Sequence, residues 1–282
     1  MLADSTAAVR VAILGCGLIG SRWDMPGVAA ADGPALTHAA AFSRHPGARI
    51  VAFCDSDAAK AQEAVARWGC GAAFASARTL FDSVPVDLAV VATHSSVRAE
   101  VIELALAAGV RALVIEKPLA TTIEEARRLS LALDAHGAKA LVNYSRHWDP
   151  TMTALRDQLA AGALGRVQRL VGLYGKGLSN NGSHMIDLAG LLCQARPLRA
   201  RSLGHTLPDT EAAWCGGADP ALDAQVQYRD ASGATVQLDL LATDASAFSC
   251  FELKLIGTEA ICEIRRGGRS VASGWVTGSA TS

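Results

Sequence analysis

The chain has 282 residues, enough for two domains of ordinary size that each bury their own hydrophobic core. Half of the residues are hydrophobic and 19% are charged, a composition that excludes disorder over most of the length. The net charge of −1 gives no electrostatic reason to expect nucleic acid or an anionic membrane as a partner.

The sequence also lacks the features of a membrane, secreted or zinc-binding protein. No apolar run approaches the roughly 20 residues of a membrane span, and the first residues show no signal-peptide pattern. The seven cysteines are scattered without C-x-x-C spacing, and several lie in apolar runs typical of strands. We therefore expect a cytoplasmic protein with reduced cysteines in its core and no metal site.

The first functional element begins directly after residue 10. Val11–Leu14 is an apolar run typical of a buried strand, and the glycines Gly15-x-Gly17-x-x-Gly20 follow it. In a dinucleotide-binding fold these glycines permit a tight turn, a close approach to a pyrophosphate and the packing of a helix on the strand. An ordinary turn is the alternative, because glycine is common in this chain. The predicted pyrophosphate site comprises Gly15, Cys16, Gly17, Leu18, Ile19 and Gly20.

The second strand ends in an acidic residue. An insertion over about 22–34 and a short helix over 35–47 separate the glycines from the strand Arg49–Cys54. Asp55 follows that strand, where an acid accepts hydrogen bonds from ribose hydroxyls and favours NAD over NADP. It comes about forty residues after the glycines rather than the usual ~20, a difference that the insertion explains. Asp55 and Ser56 are predicted to bind the cofactor; alternatively, Asp55 caps the next helix.

Two further strands carry polar residues at their carboxyl ends. Val86–Thr93 is a near-continuous apolar run typical of a central parallel strand, and Ala112–Ile115 predicts the next strand after a helix over Arg98–Ala108. Strand and helix alternate here as in a doubly wound parallel sheet, whose ligands bind beyond the carboxyl ends of the strands. The residues predicted to lie at these ends, beside the cofactor, are Thr93, His94, Glu116 and Lys117.

Lys117 is the first candidate catalytic residue. A lysine beside a bound cofactor can stabilise developing negative charge on a substrate oxygen, or assist proton transfer if burial lowers its pKa. A solvated surface lysine is the alternative. Pro118 argues against that alternative, because it restricts the conformation of Lys117 and of the chain that leaves the strand.

A second domain follows this sheet. A capping-box pattern at Thr122 predicts a helix to about Ala135, and Ala140–Tyr144 predicts a further strand. Arg146 then precedes a helix predicted over Thr151–Leu164. Arg146 either positions nicotinamide or substrate, or forms a salt bridge at the rim of the site; the sequence leaves both possibilities open.

A polar, glycine-rich stretch holds the other candidate catalytic residues, Asn180, His184 and Asp187. A helix predicted over Met185–Leu192 has His184 in its first turn, and helical geometry would place Asn180 and Asp187 on the same face. Histidine suits a general base because its pKa lies near neutral pH; a purely structural histidine is the alternative. The residues predicted to bind substrate are Lys117, Arg146, Tyr174, Asn180, Asn181 and His184.

The motifs GCGLIG, CDSD, VVATHSSVRAEVIELALAAG and EKPLATT together resemble the glucose–fructose oxidoreductase and inositol dehydrogenase family, over about residues 9 to 190. The resemblance implies that Lys117 contacts substrate and nicotinamide. Dehydrogenases of this family commonly carry Asp-x-x-x-His followed by x-Ile-Asp, and His184 and Asp187 match the histidine and the later acid. Asn180 stands where the first acid is usual. It can hold a substrate hydroxyl, but it cannot orient His184 with a full charge, so Asp187 orients the histidine or the proton relay is weakened.

The remaining sequence predicts antiparallel strands joined by turns. An open sheet needs a cover on its second face, so we expect a homodimer or homotetramer packed through it, as the resemblance also implies. The residues after Gly274 are rich in Gly, Ser and Thr and are expected to be mobile. The predicted strands are about 199–205, 224–228, 235–241, 250–256 and 260–265.

These patterns predict an α/β protein in two parts. A doubly wound parallel Rossmann sheet occupies 1–122, and an α+β domain with a large open, mostly antiparallel sheet occupies 123–282, with a crossover segment over 123–150. The predicted function is hydride transfer between NAD, or NADP, and a secondary alcohol or ketone of a sugar, cyclitol or nucleotide sugar. The alternatives are a hydride-recycling epimerase, lyase or hydrolase, and a non-catalytic dinucleotide-binding regulator.

Overall fold

A computed structural model describes residues 8–23, 35–207, 219–244, 250–265 and 270–274. The chain divides into two compact units, Met1–Asn143 and Tyr144–Ser282. The segment 123–143, which the sequence-based division assigned to the second domain, therefore belongs to the first compact unit. Most of the predicted insertion over 22–34, the residues after 274 and Cys215 lie outside the described residues.

The first unit is built on a six-stranded sheet with the order β3-β2-β1-β4-β5-β6, in which every pairing is parallel. The doubly wound fold predicted from the sequence is confirmed. The short strand β3 and helix α3 were not predicted. The strands are β1 (Val9–Leu14), β2 (Ala48–Cys54), β3 (Ala72–Phe74), β4 (Leu88–Val91), β5 (Ala112–Glu116) and β6 (Lys139–Asn143), and the helices are α1 (His38–Arg44), α2 (Ala58–Trp68), α3 (Ala77–Ser83), α4 (Ser95–Ala107) and α5 (Ile123–Ala135).

Strand β1 shows why this sheet needs helices on both of its faces. Val11 and Ile13 pack in one apolar cluster, while Ala12 and Leu14 pack in another. Side chains alternate across a strand, so the two clusters lie on opposite faces of the sheet. This double burial explains the continuous apolar run that identified the strand, and it leaves the carboxyl ends of the strands as the place for polar groups.

The second unit contains a seven-stranded sheet with the order β13-β12-β11-β7-β10-β9-β8. All of its pairings are antiparallel except that between β7 and β10, which is parallel. The prediction of a mostly antiparallel sheet is confirmed, and β13 is an additional strand. The elements are α6 (Pro150–Ala160), β7 (Val167–Tyr174), α7 (Ser183–Cys193), β8 (Ala195–Leu207), β9 (Ala221–Asp230), β10 (Thr235–Ala242), β11 (Phe251–Gly257), β12 (Ile261–Arg265) and β13 (Ser270–Gly274).

Helices α6 and α7 pack on one face of this second sheet, and their apolar side chains join those of β7 to β12 in a single cluster. The opposite face carries ion pairs, including Arg169 with Asp239 at 2.9 Å and Lys254 with Glu263 at 3.2 Å. Oligomerisation through this face stays a prediction. Within the described residues, no helix is long and apolar enough to span a membrane, and no group of side chains is arranged to hold a metal ion.

Candidate functional site

Two of the three glycines that follow β1 are required by the protein chain itself. Gly15 has a φ of +98°, a conformation that favours glycine, and a Cβ there would overlap the carbonyl oxygen of Ala92. A Cβ at Gly20 would overlap the carbonyl oxygen of Gly15. These two positions are glycine because the turn folds tightly against the end of β4.

Gly17 has neither reason to be glycine. Its φ of −72° is open to any residue, and a Cβ built there meets no atom within 4 Å. A π-helical turn, Leu18–Arg22, begins directly after it, with the amides of Ser21 and Arg22 donating to the Gly17 carbonyl. The amides that precede this first hydrogen bond lie at the open end of the turn. The open space at Gly17 and the amides at the start of the turn therefore lie together, at the position where a dinucleotide-binding fold holds the pyrophosphate.

Asp55 connects the end of β2 to this glycine loop. Its carboxylate accepts a hydrogen bond from the Cys16 amide at 2.9 Å and another from the Asp57 amide at 3.0 Å. The N-cap of α2 is Asp57, which accepts from the Ala59 amide, so the alternative role of Asp55 as the helix cap is wrong. Ser56, beside Asp55, is exposed. Asp55 therefore fixes the loop at the position expected for the ribose.

Cys16 has a structural place in the loop. Its amide is bonded to Asp55 and its side chain is fully buried. Burial raises the pKa of the Cys16 thiol to about 12, and the charge of Asp55 adds to this effect. The thiol is therefore unreactive near neutral pH, as expected for a buried core cysteine. All six cysteines among the described residues are free thiols.

The end of β4 presents buried hydroxyl groups. The Thr93 and Ser95 side-chain oxygens are buried, and neither has a hydrogen-bond partner within the part of the chain that the structure describes. His94 is exposed at the N-cap of α4, but its side chain makes no capping bond there. Buried polar groups are almost always satisfied, so these hydroxyls fit a polar ligand or ordered water at this end of the sheet.

Lys117 follows β5, and the carboxylate before it is held firmly. Glu116 Oε1 lies 2.9 Å from His38 Nε2 and accepts a hydrogen bond from Asn143 Nδ2 at 2.7 Å. Burial tends to raise the pKa of Glu116, but these two partners and the charges of His38 and Arg98 outweigh it, and the pKa is lowered. Lys117 is partly exposed, and the Lys117–Pro118 peptide bond is cis.

The second unit positions Asn180 in a π-helical turn, Gly177–Gly182, that runs directly into α7. The buried Asp219 carboxylate holds this turn by accepting from the amides of Ser179 at 2.8 Å and Asn180 at 2.9 Å. Helical structure thus extends back to Asn180, ahead of the predicted helix start, in the wider π form. Asn181 lies in the same turn and is half-buried.

His184 is the second residue of α7, and it packs against an aromatic ring. The ring of Tyr144 stands perpendicular to the imidazole, with the ring centres 5.3 Å apart. Burial raises the pKa of Tyr144, although a hydrogen bond with Ser183 opposes the shift. The phenol is therefore neutral near pH 7, and the edge-to-face contact orients the His184 ring.

Asp187 is engaged by a histidine that the sequence analysis did not single out. Its carboxylate oxygens lie 2.9 and 3.1 Å from His147 Nε2. Burial raises the pKa of Asp187, and the charges of His147 and Arg146 only partly oppose this. The Asp187 carboxylate is thus shared with His147, and its proposed role in orienting His184 stays a prediction. No local pattern in the sequence records this contact, because the two residues are 40 positions apart.

Arg146 and Tyr174 both prove to be packed inside the second unit. The Arg146 guanidinium lies over the Phe251 ring at 3.9 Å, and burial lowers its pKa. Tyr174 is fully buried, and its hydroxyl donates to the Leu222 carbonyl at 2.8 Å and accepts from the Leu222 amide at 2.9 Å. Tyr174 is therefore a core residue and not a substrate contact, because its phenol is already satisfied by the backbone.

Comparison with known proteins agrees with the first unit's geometry. Residues 9–144 match the GFO_IDH_MocA family model, described as an oxidoreductase family with an NAD-binding Rossmann fold. The resemblance predicted from the motifs is therefore confirmed for this part of the chain.

Individual relatives are sugar and cyclitol dehydrogenases. The chain is 30% identical over 162 residues to myo-inositol dehydrogenase Hyg17 of Streptomyces leeuwenhoekii, covering 57% of this chain and 44% of that protein. It is 28% identical over 128 residues to D-apiose dehydrogenase of Paraburkholderia graminis, covering 45% and 34%. The matched part thus spans less than half the length of these relatives.

A solved structure supports the fold of nearly the whole chain. Levoglucosan dehydrogenase in complex with NADH and levoglucosan superposes with a TM-score of 0.72, covering 97% of this chain and 78% of that one, at 18% identity. At this identity the likeness establishes the fold alone.

Proposed function

We propose that this protein is an NAD-dependent dehydrogenase that acts on a secondary alcohol or ketone of a sugar, cyclitol or nucleotide sugar. The observation that carries the proposal is Gly17, which neither its backbone conformation nor its surroundings require to be glycine. A ligand that approaches the backbone there explains the residue. The family of residues 9–144 and the dehydrogenase activities of the named relatives support the same conclusion.

The residues of the first unit fit a dinucleotide. Gly17 leaves room for the pyrophosphate, and the Thr93 and Ser95 hydroxyls would be satisfied by polar groups of the nicotinamide half. Asp55 supports NAD over NADP, because its carboxylate would accept bonds from ribose hydroxyls but repel a 2′-phosphate. When bound, the nicotinamide supplies or accepts the hydride.

Each unit contains one candidate catalytic residue. Lys117 would donate a hydrogen bond to the reacting oxygen and stabilise negative charge as it develops there. His184 would take the hydroxyl proton during oxidation and return it during reduction, since histidine exchanges protons near neutral pH. Asn180 and Asn181 would orient hydroxyl groups of the substrate. These roles are proposed separately and are tested separately.

Cofactor binding is the first test of this function. Calorimetry with NAD⁺, NADH, NADP⁺ and NADPH should show binding of NAD⁺ or NADH, and the Gly17→Ala variant should bind more weakly while melting at the same temperature. An Ala41→Gly variant on the exposed face of α1 serves as a control for surface changes. Absence of binding by all four dinucleotides would overturn the proposal.

Turnover is the second test. Reduction of NAD⁺ is followed at the absorbance band of the reduced nicotinamide with myo-inositol, D-apiose and a nucleotide sugar. Net reduction with any of them supports a dehydrogenase and identifies its substrate class. Binding without net reduction, but with conversion of the substrate to an epimer or to an elimination or hydrolysis product, would indicate hydride recycling instead. Binding with neither result would indicate a non-catalytic dinucleotide-binding regulator.

A further inference from the structure

Arg98 is a buried cation in the first turn of α4. Only 3% of the residue is exposed, whereas arginine is almost always at the surface of proteins. Its guanidinium donates to the carbonyl of Thr93, at the end of β4, and to the carbonyl of Pro118, just after β5. One side chain therefore ties together the two chain segments that carry the polar residues at this end of the sheet.

The electrostatic surroundings keep this guanidinium charged. Burial lowers the pKa of Arg98 to about 10, while the negative charge of Glu116 acts in the opposite direction. The group is thus protonated at neutral pH. Burying a charge is unfavourable unless it is paired and hydrogen-bonded, and the Arg98 Nε has no partner within the described residues. A contribution to stability therefore does not explain why this charged side chain is buried.

The backbone on both sides of Lys117 is fixed by these contacts. Before it, the Glu116 side chain is held by His38 and Asn143; after it, the Pro118 carbonyl is held by Arg98. The planar guanidinium can donate to two acceptors at once in a fixed geometry, which the single ammonium of a lysine cannot reproduce. The remaining freedom of Lys117 is then the torsion of its own side chain.

We propose that Arg98 is a positioning residue for Lys117, joining the Thr93 and Pro118 carbonyls so that the lysine ammonium meets the reacting oxygen of the substrate. The inference rests on the proposed function and deepens it, because it assigns the alignment of the proposed catalytic lysine to a residue that the sequence analysis did not include in the site. Misplacement of a catalytic group by about 1 Å can reduce turnover by ~10²-fold, so a residue of this kind acts on kcat.

A double-mutant cycle tests the inference with the intact chain, NAD⁺ and the substrate found in the turnover screen. The variants are Arg98→Met, Lys117→Met and the combination, with Arg98→Lys as the conservative change. Arg128→Met is the matched control, because Arg128 lies on α5 with 55% of its side chain exposed and pairs with Glu103. Each variant is compared for kcat, KM, the dissociation constant of NAD⁺ and melting temperature.

Arg98→Met should lower kcat by ~10-fold or more with little change in NAD⁺ affinity, and Arg98→Lys should fall between it and the wild type. Lys117→Met should lower kcat by ~10²-fold, and adding Arg98→Met to it should cause little further loss. Arg128→Met should behave as the wild type. If Arg98 were merely structural, Arg98→Met would lower kcat by the same factor in the wild type and in Lys117→Met.

The outcomes separate this inference from the proposed function. If the wild type reduces no NAD⁺ with any substrate, the proposed function fails and the inference fails with it. If the wild type turns over and Lys117→Met keeps full turnover, the dehydrogenase function stands, but Lys117 leaves the mechanism and the inference is overturned. If Lys117→Met is slow but Arg98→Met is fully active or raises KM alone, the function stands and the inference is overturned. The same holds if Arg98→Met lowers kcat by the same factor with and without Lys117. If Arg98→Met does not fold, full turnover by Arg98→Lys would equally overturn it.

Discussion

Glu116 and Asp187 are two partly buried carboxylates, one in each unit, and their pKa values move in opposite directions. The side chain of Glu116 is 12% exposed and its pKa is lowered; that of Asp187 is 23% exposed and its pKa is raised. Burial raises both values, so the partners decide the sign. Glu116 has His38, Asn143 and the charge of Arg98, whereas Asp187 has the partly exposed His147 and the charge of Arg146.

The two units also differ in what positions their candidate residues. In the first unit they follow strands of a regular sheet, and Glu116 is bonded to the side chains of His38 and Asn143. In the second unit Asn180 lies on a π turn whose amides donate to the Asp219 carboxylate, and the candidate histidine lies in the first turn of α7. The edge of a sheet therefore positions the first group, and a turn that continues into a helix positions the second.

The largest expected effect compares the two proposed catalytic residues. Lys117→Ala should lower turnover by ~10²-fold or more at unchanged NAD⁺ affinity, because an electrostatic stabiliser of the reacting oxygen is lost. His184→Ala should lower it by ~10² to 10⁴-fold and flatten the pH profile of kcat, because the proton acceptor is lost. Lys139→Ala, on exposed strand β6, is the control. Unchanged turnover in either variant would remove that residue from the mechanism.

The next effect separates two glycines of the same loop. A Cβ at Gly20 collides with the backbone of Gly15, so Gly20→Ala should destabilise the protein by about 1–3 kcal/mol and weaken NAD⁺ binding through the distorted loop. Gly17→Ala has open space, so it should weaken binding by ~10-fold or more while the unfolding free energy stays within about 0.5 kcal/mol of the wild type. Denaturant titration and calorimetry measure the two quantities. Equal NAD⁺ affinities for the wild type and Gly17→Ala would contradict a pyrophosphate site at Gly17.

The opposite pKa shifts predict opposite pH dependences of stability. Glu116 has a folded-state pKa below the ordinary 4.5, so its stabilisation is complete above pH 4.5 and is lost as the pH falls through the lower folded value. Asp187 has a folded-state pKa above the ordinary 3.8, so the folded state loses stability as the pH rises from 3.8 through the raised value.

Glu116→Gln and Asp187→Asn, each compared with the wild type, isolate these contributions. From about pH 3 to pH 7 the advantage of the wild type over Glu116→Gln should grow, while its advantage over Asp187→Asn should shrink. Unfolding free energies measured across this range provide the check. If the stability advantage of the wild type changed in the same direction with pH for both variants, the two carboxylates would not have opposite pKa shifts.

The sequence predicted the first unit well because each of its signals is local. Apolar runs identify buried strands, and the glycine spacing and the residues after each strand follow directly. What it missed there, His38, Arg98 and Asn143, reaches Glu116 or Pro118 from 20 or more residues away. No periodicity records such a contact, and only the folded sheet brings these residues to one edge.

The second unit shows where local patterns fail. The helix predicted over Met185–Leu192 is present, but the π turn before it is held by the Asp219 carboxylate, about forty residues later. The sequence related Asp187 only to His184, three residues away on the helix, and gave no sign of its bond to His147, 40 residues away. Tyr174 was assigned to substrate because it adjoins a polar loop, although its position in β7 places it in the core.

The smallest expected effect tests this last correction. Tyr174→Phe removes a hydroxyl that serves both the carbonyl and the amide of Leu222, and it should cost about 1–2 kcal/mol of stability while leaving KM unchanged. Tyr228→Phe is the matched control, because Tyr228 is equally buried but donates only to the Ile186 carbonyl and should cost less. Denaturant unfolding and steady-state kinetics distinguish the two roles. A raised KM at unchanged stability for Tyr174→Phe would restore the phenol to the substrate site, because a core hydroxyl affects folding before it affects binding.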